Sequence, residues 1–191
     1  PAASATVETV LGQRAFVVER WDRLDGELLH AEDVNQMLGE APDDKYRVDA
    51  ARVARELDRY SQALPFIRQL AFNCSIGNAD AHAKNYSVLL SGDQVRLAPL
   101  YDSYPVILYP YEHTFAMPVS KAKKPADLTE RNWRKLAKGA GLDGDAVCAA
   151  AFSVMEATAD RLQATMEPLG LDPKMQRKLE TQTGELRKAL P

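Results

Sequence analysis

The amino-acid sequence predicts a mainly α-helical, α+β lobe carrying a small β-hairpin. Three observations predict it. Helical patterns with caps and stops run from Asp49 to Ser75 and from about Thr129 to Leu190. Two short strand-like runs, Tyr86–Leu90 (YSVLL) and Gln94–Ala98 (QVRLA), flank Ser91, Gly92 and Asp93, a connection whose glycine can supply positive φ. No internal repeat or low-complexity tract divides the 191 residues, a length that fits one domain or one lobe of a larger one.

In chain order, Ala15 to Trp21 (AFVVERW) reads as a strand because β-branched and aromatic residues are bounded by Gly12 and by Asp25 with Gly26. His30 to Leu38 is expected to be a short helix and Glu40 to Tyr46 (EAPDDKY) an exposed loop. From Asp49 the helical pattern sets Val53, Leu57 and Tyr60 on one face, and Pro65 opens a second, buried helix over Phe66 to Ser75. Ser103 to Pro118, rich in Pro and Tyr, is expected to be irregular, and Lys121 to Lys124 (KAKK) basic and exposed. Three helices then follow, at about Thr129 to Lys138, Gly144 to Leu169 and Asp172 to Leu190. Thr129, Asp143 and Asp172 serve as N-caps, and Gly139 and Gly170 as stops.

Composition is that of an ordinary soluble globular protein, 46% hydrophobic and 27% charged. A net charge of −3 gives no global basic footprint, so nucleic acid is not expected as a direct ligand of this segment. Cys74 and Cys148 lie far apart in apolar surroundings, which suits free thiols in a reducing cytoplasm. No stretch is long and apolar enough for a membrane span, so a cytoplasmic location and no membrane partner are expected. The chain starts without Met and enters a strand pattern almost at once, so an upstream segment is expected.

Chemistry concentrates in Asn78–Asn85 (NADAHAKN) and Leu97–Asp102 (LAPLYD). Asp80, Asn85 five residues later and Asp102 stand at the intervals that metal-dependent phosphotransfer uses. One Asp accepts the proton of the attacking hydroxyl, and an Asn oxygen and a second Asp reach Mg²⁺. Mg²⁺ needs few protein ligands once ATP phosphates supply oxygens, so Asn85 and Asp102 suffice as a protein set. The predicted hairpin is the device that joins them, returning a chain 22 positions further on to the same place. Lys84, between base and metal ligand, is placed to neutralise the transferred phosphoryl group. Trp133 is expected in the core. His30 and His113 lack companions at metal-ligand spacing.

On DAHAKN at Asp80–Asn85, LAPLYD at Leu97–Asp102 and FVVERWDR at Phe16–Arg23, the chain resembles the HipA-like serine/threonine kinases, toxins of bacterial type II toxin-antitoxin pairs. The resemblance implies a kinase-like C-terminal lobe, with a hinge-strand region at 1–25, catalytic loop and metal-binding hairpin at 49–102, and a helical part at 126–191. It implies Asp80 as base, Asn85 and Asp102 as Mg²⁺ ligands, and His82 and Lys84 beside the phosphates of ATP. Glu19 and Trp21 match the adenine-holding hinge, and Tyr101 is implied to line the nucleotide pocket. A phosphate-covering loop and a strand Lys are implied upstream of Pro1, so 1–191 alone is expected to lack the N-terminal lobe and to be nearly inactive. The implied partners are a protein substrate, such as an aminoacyl-tRNA synthetase, and a HipB-like DNA-binding antitoxin. Asn78 and Ala79 replace the usual His and Arg before the base, and Tyr101, Asp102, Ser103 stand for Asp, Phe, Gly.

Two other readings fit the same residues. Sugar and antibiotic phosphotransferases use a similar Asp and Asn loop, and a partner-binding module could keep the motif without catalysis. The structural reading of Asp80 and Asn85 is a loop whose side chains cap local backbone.

Overall fold

A computed structural model describes residues 1–111, 113–166 and 170–191. The first element is a β-hairpin of β1 (Ala5–Val10) and β2 (Gln13–Val18), paired antiparallel from Ala5↔Val18 to Val10↔Gln13 around Leu11 and Gly12. The second strand starts two residues before the expected Ala15 and stops at Val18. The ladder ends at Ala5↔Val18 with one further bond, from Glu19 N to the Ser4 carbonyl at 2.9 Å, so Arg20 and Trp21 lie beyond the sheet. A two-residue pair, β3 (Arg23–Leu24) and β4 (Glu27–Leu28), follows around Asp25 and Gly26.

His30–Leu38 is not all helix. His30–Asp33 is β5, and only Val34–Met37 forms α1. Pairing decides it, because β5 lies antiparallel on the later hairpin from His30↔Leu90 to Asp33↔Ser87, exchanging a marginal helical turn for ladder bonds. Asp33 then switches the chain to helix by a capping box with Gln36. Helix α2 (Ala50–Asp58) starts on the Asp49 cap and buries Val53 and Leu57, whereas Tyr60 lies past its end and is 39% exposed. Helix α3 (Ala63–Ile76) begins slightly before Pro65 and ends on Gly77 at φ 70°.

The expected hairpin is β6 (Ser87–Ser91) with β7 (Gln94–Leu97), turning through Gly92 and Asp93 alone, so the connection has two residues rather than three. Gly92, at φ 55°, takes the first turn position. With β5 they form a three-stranded sheet in the order β5-β6-β7. Residues 103–118 are irregular where described, apart from one 3-10 turn at Val106–Leu108.

Three helices close the chain: α4 (Glu130–Ala140), α5 (Gly144–Met166) and α6 (Pro173–Ala189). Thr129 and Asp172 cap α4 and α6, and Asp143 Oδ1 accepts from Ala146 N at 2.7 Å. Gly139 is no stop: α4 continues to Ala140 and Gly141 takes the left-handed cap at φ 77°. The expected end of α5 at Leu169 lies outside the described residues. Helix α3 packs against α2, α5 and α6, and α4 against α2 and α5. Trp133, Tyr86, Phe66, Leu70 and Met155 fill one core between them. Such side chains stabilise by about 1.5–3 kcal/mol each on burial. Cys74 and Cys148 are both buried free thiols. Among the described residues no helix is long and apolar enough to cross a membrane.

Candidate active site

Helix α3 delivers the chain to the candidate site. Its last turn carries Asn73, a polar group in an apolar run, and the Gly77 cap turns the backbone into Asn78 and Asp80. Buried amides must be bonded, and these bond to one another. Asn78 Nδ2 donates to Asn73 Oδ1 (3.0 Å) and to the Asp102 carbonyl (3.3 Å), while Ser103 Oγ donates to the same Asn73 oxygen (2.8 Å). Asn73 Nδ2 in turn donates to the Tyr86 hydroxyl at 3.1 Å. The loop after α3 and the segment after β7 are thereby clamped together at side-chain level.

Within this clamp, Asp80 Oδ1 accepts from the Tyr46 hydroxyl at 2.8 Å, and Asp80 N donates to Asn78 Oδ1 at 3.1 Å. Asn85, buried at the end of a 3-10 turn (Ala83–Asn85), donates from Nδ2 to Asp102 Oδ2 at 2.5 Å. The hairpin thus brings Asn85 and Asp102 into direct contact. Asp102 is exposed and held at φ 51°, a left-handed conformation that Asp tolerates better than most side chains.

The donor set fits a divalent cation. Asn85 Oδ1 is buried with no hydrogen-bond partner, beside the Asp102 carboxylate, so a hard oxygen ligand stands free where Mg²⁺ chemistry would use it. Among the described residues no group of three or more His, Cys, Asp or Glu side chains forms a metal cage.

The remaining predicted residues divide into two sets. Glu19, Trp21, Tyr101 and Asp102 line one cavity of about 450 Å³, joined by Phe16, Val18 and Asp22. Trp21 packs on Tyr101 at 5.2 Å between ring centroids. The Tyr101 hydroxyl donates to the Lys84 carbonyl at 2.8 Å and lies 2.7 Å from Ser87 Oγ, and burial pushes its pKa to about 12. His82 and Lys84 sit otherwise. His82 is buried, edge-on to Tyr46 at 5.0 Å, with Nδ1 unpartnered. Burial, and then the Lys45 charge, lower its pKa, so the ring is neutral at pH 7. Lys84 Nζ lies 3.8 Å from Asp33 Oδ2, directed to the α1 cap.

Sequence reasoning missed Tyr46 and the role of Asn73. Asn73 had a legible signal, a buried amide inside an apolar helix. Tyr46 had none, because its partner lies 34 residues away.

A family model described as the HipA-like C-terminal domain matches residues 1–166. Over 171 residues the chain is 32% identical to "Putative kinase Y4mE" of Sinorhizobium fredii (strain NBRC 101917 / NGR234), an alignment covering 82% of this chain and 41% of that protein. Over 160 residues it is 32% identical to "Putative kinase Y4dM" of the same strain, covering 81% and 38%. The chain therefore spans about two fifths of the length of these curated relatives. Among solved structures it resembles a chain of the HipA, HipB and operator DNA complex of the Shewanella oneidensis MR-1 toxin-antitoxin system. The TM-score is 0.75 at 22% identity, over 98% of this chain and 51% of that one, a likeness of fold.

Proposed function

Since the chain belongs to the HipA-like C-terminal domain family, we propose that it is the catalytic and metal-binding lobe of a cytoplasmic serine/threonine kinase toxin. The reaction moves the γ-phosphoryl of ATP to a protein hydroxyl. The observation that carries this reading is the meeting of Asn85 and Asp102 beside the Asp80 loop, with Asn85 Oδ1 left unpartnered.

Asp80 accepts the acceptor hydroxyl's proton as that oxygen bonds to phosphorus and the bond to the departing ADP oxygen breaks. The Tyr46 and Asn78 contacts hold Asp80 in place for this. Asn85 and Asp102 would hold Mg²⁺, which when bound offsets phosphate charge. Trp21 and Tyr101 offer aromatic faces to the adenine, with Glu19 at the edge of the same cavity. His82, being neutral, shapes the loop and adds no charge at the phosphates. Lys84 reaches the phosphoryl group by leaving Asp33, a long pair at 3.8 Å in which the Lys84 side chain is 39% exposed and the Asp33 side chain mostly buried. We assign the phosphate-covering loop and its Lys to other parts of the full-length protein, and very slow turnover to residues 1–191 alone. A HipB-like antitoxin is the assigned partner, by analogy with the Shewanella complex, and an aminoacyl-tRNA synthetase the assigned class of substrate.

The test is ATP-dependent protein phosphorylation by the full-length protein. Asp80→Asn is expected to lower the rate by roughly 10²–10⁴, the usual contribution of a general base. A rate that survives this change overturns the assignment. Acceptor profiling with proteins against sugars and aminoglycosides checks the substrate class.

A further inference from the structure

A second concavity, of about 500 Å³, lies between α6 and the loop that precedes Asp127. Its floor is apolar, made by buried Ile107 and Pro125, and its rim carries exposed Lys124, Lys174 and Arg177. Lys178 also lines it, with Nζ donating to the Ile107 carbonyl at 2.7 Å, and exposed Lys121 and Lys123 flank it in sequence. In a chain of net charge −3, four of the 24 Lys and Arg line this groove, and two more lie within three residues of Lys124 in sequence.

Among the described residues these cations form no ion pair. Among the described residues, the ion pairs of the C-terminal half join Arg134 to Glu130 and Asp145, Arg187 to Asp160 and Lys188 to Glu185, none of them involving the six. Glu185, an acid in the lining, is already 2.8 Å from Lys188. Asp127 accepts from the Lys123 backbone N–H, Asp172 caps α6 through Lys174 N and Met175 N, and Glu180, exposed on α6 three residues after Arg177, is the acid closest in sequence to Arg177 and Lys178. Lys174 stands in the first turn of α6, where the helix dipole disfavours a cation and adds to the positive field.

We propose that this groove binds an acidic polypeptide segment, its carboxylates meeting Lys124, Lys174 and Arg177 while an apolar side chain between them rests on Ile107 and Pro125. Charge complementarity selects an anion, and the floor selects a peptide. A phosphodiester track is bound along extended rows of cations and has no aliphatic group to fill a short apolar pit. An acidic segment with one leucine satisfies both.

The experiment is fluorescence anisotropy of the full-length protein with a short labelled peptide of Glu and Asp around a central Leu. Controls are the same peptide in Gln and Asn, and a labelled DNA duplex. The acidic peptide is expected to bind at least about tenfold more tightly than its neutral counterpart, with affinity falling as NaCl rises. The double change Lys124→Glu with Arg177→Glu removes at least about tenfold of that affinity with an unaltered circular dichroism spectrum. If that variant misfolds, Lys174→Ala, on an exposed side chain, carries the test through a smaller loss in the same direction. The proposal is overturned by equal affinity for acidic and neutral peptides, by tighter binding of the duplex, or by folded variants that bind as well as the parent.

Discussion

The Asp80 carboxylate meets the Tyr46 phenol before it meets any acceptor. The phenol, pushed up to about 12 by burial and by the Asp80 carboxylate, keeps its proton at neutral pH and remains a donor. Its task in the proposed reaction is orientation. Tyr46→Phe is expected to lower kcat of the full-length kinase about fivefold, equivalent to roughly 1 kcal/mol, with KM for ATP unchanged. Steady-state kinetics showing a raised KM and an unmoved kcat would place Tyr46 at the nucleotide instead. His82 gives a pH effect of definite sign. The free imidazole titrates near 6.5 and the folded one lower, so between these values the unfolded chain binds the extra proton. Stability is therefore complete above 6.5 and drains as pH falls toward the folded value. Thermal melts at pH 7.5 and 5.5 should show this decline, and His82→Gln should remove part of it. At this scale the sequence exposes Asp80, Asn85 and Asp102 because catalytic spacing is local, two of them sharing one loop. Tyr46 is invisible, being delivered by a fold rather than an interval.

Elements are set by what they lean on. Gly77 ends α3 at φ 70°, and a Cβ there would fall 2.5 Å from Ile107 Cγ2. Gly77→Ala thus combines left-handed strain with overpacking, and we expect a loss of about 2–4 kcal/mol in urea unfolding. Adding Ile107→Ala should recover the steric part, giving a double variant less damaged than the sum. Strict additivity would refute the contact. Gly139 shows why its reading as a stop fails. A Cβ there would lie 3.1 Å from Ala51 Cβ and its carbonyl accepts from Arg55, so it is small to let α2 approach α4. A glycine that ends a helix and one that admits a neighbour look alike in one dimension. The same holds for His30–Asp33, whose strand state depends on a partner more than fifty residues later.

For the molecule as a whole, helix order and hairpin were legible because both are written in local periodicity. The joining of β5 to that hairpin, and the seating of α6 on the end of α3, were not. Gln182 makes the second join, donating from Nε2 to the Cys74 and Ser75 carbonyls at 3.1 and 2.9 Å. Its amide supplies a donor to the Ser75 carbonyl at the end of α3 and adds a second one to the Cys74 carbonyl, which also accepts from Gly77 N at 3.3 Å.

Cys74 sits at that join, 2% exposed, its thiol pushed far above the ordinary range by burial. Because the sulfur is buried in the core and the Cys74 carbonyl is held by Gln182 of α6, a reagent in solution can reach the sulfur only when this packing opens. The thiol therefore reports opening of the packing at the end of α3, next to the loop bearing Asp80. In native buffer, its alkylation rate measured by mass spectrometry should equal the opening equilibrium constant times the rate of the free thiol, and should rise in Gln182→Ala. A Cys74 that reacts as fast as the unfolded chain would mean that α6 does not cover it.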